Sequence, residues 1–207
     1  MREADPVVCV VDDDSSFRRA VERLVRSAGM SAIAYGSAQE YLSSFDAHRA
    51  GCLVLDISMP GQTGLDLQKA LGSETGVPPI IFVTGQGDIP TTVQAMKRGA
   101  VEFLTKPVDD VILLGVIRSA IAKDQLDRLA LAELAAIRRC LDTLTSRESE
   151  VLRHVISGRL NKQIAAELGT VEKTIKVHRS RVMAKLQVRS VAALVRFAAQ
   201  AGIKPAS

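Results

Sequence analysis

From Val7 to Lys106 the chain repeats one pattern: a short apolar run, a polar stop, then a longer stretch whose apolar residues recur three and four apart. The short runs are Val7–Val11, Ser31–Tyr35, Cys52–Leu55, Ile80–Val83 and Val101–Leu104. Runs with no polar alternation predict strands buried on both faces of a sheet. The stretches between them predict helices. Ser15–Ala28 sets Phe17, Val21, Leu24, Val25 and Ala28 at helical spacing and stops at Gly29. Ser37-Ala38-Gln39-Glu40 is a capping box opening a short helix that gathers Tyr41, Leu42 and Phe45. Gly64–Leu71 and Pro90–Arg98 complete the set. Five strands alternating with helices predict an α/β fold with a five-stranded, parallel, doubly wound sheet.

After Asp109 the pattern stays helical to about Leu141, with Ala130, Leu134, Ile137, Leu141 and Leu144 spaced like a short heptad seam. That seam fits a dimer contact or a linker helix packed on its own chain, and two heptads do not choose between them. The remainder carries no strand signal and predicts an all-α, four-helix unit. Thr145-Ser146-Arg147-Glu148 is a second capping box, leading to Val151, Leu152, Val155 and Ile156, with Gly158 as the stop. Asn161–Leu168, a turn at Gly169 and a helix from about Val171 to Leu186 form a helix-turn-helix signature over roughly Asn161 to Ser180. Ser190–Ala201 is the last helix. The expected organisation is residues 5–122, a helical linker at 123–140, and residues 141–207.

Composition narrows the classes. Across 207 residues, 47% hydrophobic and 24% charged, there is enough apolar material for packed cores, which excludes a disordered chain. No apolar run approaches the roughly 18–20 residues of a bilayer span, and no signal-peptide pattern precedes the first strand. Cys9, Cys52 and Cys140 form no CxxC pair, so reduced thiols in a cytoplasmic protein are expected rather than disulfides or structural zinc. Charge is divided unevenly. Residues 1–122 hold 11 Lys+Arg and 15 Asp+Glu, residues 123–142 four of each, and residues 143–207 twelve against four. The basic part is a candidate for nucleic acid; a solvated basic face is the plainer alternative.

Asp12 and Asp13 follow the first strand, Asp56 the third, Thr84 the fourth and Lys106 the fifth. Ligands of open parallel α/β sheets bind at these carboxyl ends. Three converging carboxylates repel and call for a cation, and hard oxygen donors suit Mg²⁺. Beside such a metal, Asp56 would be a nucleophile forming an aspartyl phosphate, with Lys106 and Thr84 holding phosphoryl oxygens. Gly85 leaves space next to the acceptor, and Lys106-Pro107 is a candidate cis peptide. In the basic part, Lys173, Lys176, Arg179, Arg181 and Lys185 lie on the helix behind the turn, as major-groove docking requires.

The segments VVDDD, LVLDISMPGQTG, IIFVTGQGD and FLTKP resemble the flavodoxin-like receiver domain of bacterial two-component response regulators. The resemblance implies Asp56 as phosphoacceptor, Mg²⁺ held by Asp12, Asp13, Asp56 and the Ser58 backbone carbonyl, and Thr84, Phe103 and Lys106 as switch and phosphoryl-binding residues. Phe103 stands where many members have Tyr, so no phenolic hydrogen bond is available. LTSRESEVLRHVISGRLNKQIAAELG and TIKVHRSRVMAKL resemble the LuxR-type DNA-binding domain, which implies groove-facing Lys176, Val177 and Ser180. The order Thr170-Val171 departs from that family's usual pattern and points to Thr170 as the helix cap. Together the modules resemble the FixJ/NarL type of response regulator. That implies a sensor histidine kinase and double-stranded DNA as partners, RNA polymerase as a further candidate, a homodimer favoured by phosphorylation, and no membrane. No turnover enzyme is implied beyond slow self-dephosphorylation.

Two other classes stand beside this reading. An aspartate-nucleophile phosphatase would carry an acid/base Asp two residues after the nucleophile, where this chain has Ser58. A phosphorylation-dependent protein-interaction module would share the receiver but bind no DNA.

Overall fold

A computed structural model describes residues 5–72, 76–85 and 89–206. The chain divides into two compact units, Met1–Arg128 and Leu129–Ser207.

The first unit contains β1 (Val7–Val11), α1 (Ser15–Ser27), β2 (Ser31–Tyr35), α2 (Ala38–Ser43), β3 (Gly51–Leu55), α3 (Gly64–Leu71), β4 (Ile80–Thr84), α4 (Ile89–Lys97) and β5 (Glu102–Thr105). The helix α5 (Asp110–Asp142) begins in it. All strand pairs are parallel in the order β2-β1-β3-β4-β5, the flavodoxin-like winding. Because side chains alternate along a strand, the apolar runs serve two cores. Val11, Leu53, Leu55 and Phe82 meet Tyr41, Leu67, Leu71 and Ala95 from α2, α3 and α4. Val8, Val10, Val54, Ile81 and Val83 meet Val21 and Val25 of α1 and Leu113 and Ile117 of α5.

Local signals differ in detail from the expectation. The box at α2 is offset: Ser37 caps Glu40 N–H, but the Glu40 carboxylate accepts from Gly36 N–H at 2.6 Å. A full reciprocal box, Thr63 with Asp66, opens α3 where the apolar pattern predicted only a helix. β3 begins one residue early, at Gly51, whose φ of +146° and a Cβ 1.9 Å from the Val7 carbonyl oxygen admit only glycine.

Residues 123–128, expected to start the linker, are tied to the first unit. Asp124, buried, accepts from Gly51 N–H and Arg128 Nε, both at 2.8 Å. The same guanidinium donates to the carbonyls of Ala47, Arg49 and Gly76 at 2.8–2.9 Å.

In the second unit, α6 (Ser146–Ile156), α7 (Asn161–Glu167), α8 (Glu172–Lys185) and α9 (Val191–Gln200) enclose Val151, Leu152, Val155, Ile164, Ile175, Val182, Leu186 and Leu194. The reciprocal Thr145–Glu148 box is present. Of the heptad seam, Ile137 is buried, Leu141 and Leu144 pack against this core, and Ala130 and Leu134 are exposed. Among the described residues no helix is long and apolar enough to cross a membrane.

Candidate functional site

The polar residues that follow the strands meet at one end of the sheet. Asp12 leaves β1 with its N–H on the Tyr35 carbonyl, and Asp56 leaves β3 with its N–H on Val11 at 2.9 Å, so the ladder itself sets the two carboxylates side by side. Both are buried, at 1% and 4% exposure, while Asp13 is exposed. One oxygen from each of Asp12, Asp13 and Asp56 lies within 4.8 Å of the others. Lys106 N–H donates to the Thr84 carbonyl at 2.8 Å, carrying the β4–β5 register past the strand end. Its ammonium reaches Asp12 Oδ2 at 2.6 Å and Asp56 Oδ1 at 3.4 Å. Thr84 is fully buried at the end of β4. Ser58 N–H donates to Asp56 Oδ2 at 3.0 Å. Lys106-Pro107 is cis.

Gly64 explains the tight loop after Asp56. A Cβ there would lie 2.2 Å from the Asp56 carbonyl oxygen, so α3 can start against the acceptor loop only with glycine. Phe103, half-buried, packs at a tilt against Phe82, with ring centroids 6.5 Å apart and planes 40° apart.

Burial raises the Asp56 carboxyl above its ordinary range, and Asp12 adds to the shift, while Lys106 and the Ser58 N–H oppose it. Burial alone would lower Lys106, but the hydrogen bond and charge of Asp12, followed by Asp56, outweigh it and raise the ammonium. Three carboxylates against one ammonium leave uncompensated negative charge on grouped oxygen donors, which fits a hard divalent cation.

Three neighbours were missed from the sequence. Asp14 caps α1, accepting from Ser16 N–H at 2.8 Å; the following Ser-Ser was a readable signal. Arg18, one helical turn on, donates to the Asp12 carbonyl. Phe17 lies under Lys106, its ring centroid 4.2 Å from Nζ, and nothing in its helical spacing marks it apart from a core residue.

In the second unit the turn at Gly169, with φ +61°, joins α7 to α8. Lys173, Lys176, Val177, Ser180 and Arg181 are exposed and recur at the spacing of one helix face. Lys176 also pairs with Glu172 at 3.0 Å. Two residues expected among the DNA contacts are engaged by the protein. Lys185 Nζ is 2.6 Å from Glu148 Oε2 and 2.7 Å from the Thr143 carbonyl, neutralising a carboxylate that is 2% exposed. The Arg179 guanidinium donates to Asn161 Oδ1 at 3.1 Å. The cap of α8 is also corrected. Val171, not Thr170, is the N-cap, and no side chain caps the helix; Thr170 N–H instead closes on the Ala165 carbonyl.

Two family models match the chain: the response regulator receiver domain over residues 8–118 and the luxR family of bacterial regulatory proteins over residues 142–198. Nodulation protein W of Bradyrhizobium diazoefficiens is 46% identical over 197 residues, covering 95% of this chain and 87% of that protein. Transcriptional regulatory protein FixJ of the same organism is 38% identical over 196 residues, 95% of this chain and 96% of that one. The structure of response regulator StyR matches with a TM-score of 0.91 at 44% identity, over 95% of this chain and 100% of that chain.

Proposed function

The chain belongs to the DNA-binding two-component response regulators that join a receiver domain to a LuxR-type domain, and on that premise we propose how its sites work. Asp56 accepts a phosphoryl group from the phosphohistidine of a sensor kinase. The observation that carries this is its buried carboxylate, 3.4 Å from Lys106 and grouped with Asp12 and Asp13. Asp12, Asp13, Asp56 and the Ser58 carbonyl would hold Mg²⁺, which neutralises charge between the acceptor and the incoming phosphoryl group. Lys106 exchanges carboxylate partners for a phosphoryl oxygen, Thr84 supplies a hydroxyl, and Phe103 adjusts its packing against Phe82 in response. Ser58, at the position two past the acceptor, has no acid/base group to speed hydrolysis, so the site stores a phosphoryl group rather than turning it over.

The exposed face of α8 docks in a major groove, Lys176, Val177 and Ser180 toward base edges and Lys173 and Arg181 toward phosphates. Phosphorylation favours a homodimer, matching two half-sites on the operator. Intact-mass measurement after acetyl phosphate treatment tests the acceptor. One phosphoryl group should appear with Mg²⁺ present and none in Asp56→Asn. Equal incorporation in that variant, or incorporation without divalent metal, rejects the assignment.

A further inference from the structure

Lys106 has a third neighbour besides its two carboxylates: the face of Phe17, with the ring centroid 4.2 Å from Nζ. The ring is held by the start of α1. Asp14 caps that helix, Phe17 is its third residue, and the half-buried side chain packs against the core formed by α1 and α5. Alongside runs an open groove of about 510 Å³, lined by Phe17, Lys106, Ala20, Leu24 and Pro107 among others. Lys106 lines the same groove and its side chain is 22% exposed, so the ring covers one side of a partly open ammonium.

The chemistry at Asp56 asks two things of that ammonium. An Asp56 oxygen attacks phosphorus, forming a P–O bond. The bond between phosphorus and the donor breaks, and the donor leaves with the electron pair. Lys106 must then turn from Asp12, 2.6 Å away, toward a phosphoryl oxygen while staying charged and close. A hydrogen-bonding partner beneath it would compete with that turn, and an aliphatic one would offer no attraction. An aromatic face attracts a cation without fixing the direction of its N–H bonds.

We propose that Phe17 is a positioning residue for phosphoryl acceptance, its ring face holding the Lys106 ammonium in the pocket while the ammonium changes partners. The inference rests on Asp56 being the acceptor. The test uses the full chain with Phe17 replaced by mono-, di- and trifluorophenylalanine, by Leu and by Tyr. The rate of phosphoryl incorporation at Asp56 from acetyl phosphate with Mg²⁺ is measured. Fluorine withdraws the ring's charge at nearly constant size, so the rate should fall stepwise along the series. Trifluorophenylalanine and Phe17→Leu should be ~3- to 10-fold slow, and Phe17→Tyr should stay near the parent rate. A flat fluorinated series on a chain that still phosphorylates overturns the inference, whether or not Phe17→Leu is slow, because only packing would then be involved. No incorporation at Asp56 in the parent chain removes the acceptor assignment itself.

Discussion

The acidic pocket and the basic helix both collect charge, but by different constructions. In the pocket, Asp12, Asp56 and Lys106 come from three strands, and the ladder that forms the sheet also aims them at one another. In α8, the cations share one 14-residue helix, so the helical turn distributes them around its circumference. Lys173, Lys176 and Arg181 remain on the exposed side, while Lys185 and Arg179 turn to Glu148 and Asn161. Convergent topology therefore fixes which side chains meet. A charge excess does not, since part of it is spent on the domain's own interior.

The largest effects should come from setting Lys176→Ala against Lys185→Ala. Lys176→Ala should cost about 1–3 kcal/mol in binding to a target site and leave unfolding unchanged. Lys185→Ala should leave the salt dependence of binding alone and destabilise the second unit by about 1–3 kcal/mol, because Glu148 loses the partner of a buried charge. Gel shifts at several salt concentrations and urea unfolding followed through amide exchange in α6 measure both. A salt slope lowered by about one unit in Lys185→Ala, with unfolding intact, would make it a phosphate contact and erase the division.

This sorting also marks how far the sequence could be read. Strands with no polar alternation, each followed by a charged or hydroxyl residue, allow few arrangements, and the pocket follows from them. The contact of Lys185 with Glu148 is not legible in the sequence because the partner stands 37 residues upstream, and the Thr145–Glu148 box gives no sign that the same carboxylate oxygen accepts a second donor. Arg128 reads from the sequence as part of a neutral linker because its partners are backbone carbonyls at Ala47, Arg49 and Gly76, which have no signature in a side-chain pattern. Val171 has no hydroxyl that would mark it in the sequence as a cap.

A smaller effect separates the regions by pH. In the second unit, Lys185 and then the Thr145 N–H hold Glu148 below the usual glutamate range. A lowered carboxyl contributes stability above its unfolded value of about 4.3 and loses it as pH falls through the folded value. Asp56 is raised, so its contribution has the opposite sign: present below about 3.9, and lost as pH rises through the folded value. Unfolding midpoints across pH should therefore show Glu148→Gln without part of the acid-side loss of the second unit. Metal-free Asp56→Asn should make the first unit more stable at neutral pH. An unchanged acid slope in Glu148→Gln, or no gain in Asp56→Asn, contradicts the respective assignment.

The smallest effect belongs to the cap of α8, where the two constructions can be compared without touching a charge. Both α1 and α6 open on a side-chain oxygen, from Asp14 and Thr145, whereas α8 opens on Val171, an exposed side chain with no acceptor for the first-turn N–H groups. The Val171 carbonyl already receives Thr174 N–H at 3.0 Å, so the backbone is in place and only the side-chain cap is lacking. Val171→Ser should supply that acceptor and stabilise the second unit by about 0.5–1 kcal/mol. For a unit of this size that is a rise of a few degrees, at about 4–8 °C per kcal/mol. The salt slope of DNA binding should not change, because no cation on the exposed face is altered. A melting temperature that fails to rise would mean the first-turn donors of α8 already have partners, and the contrast between the capped helices and this one would lose its energetic content.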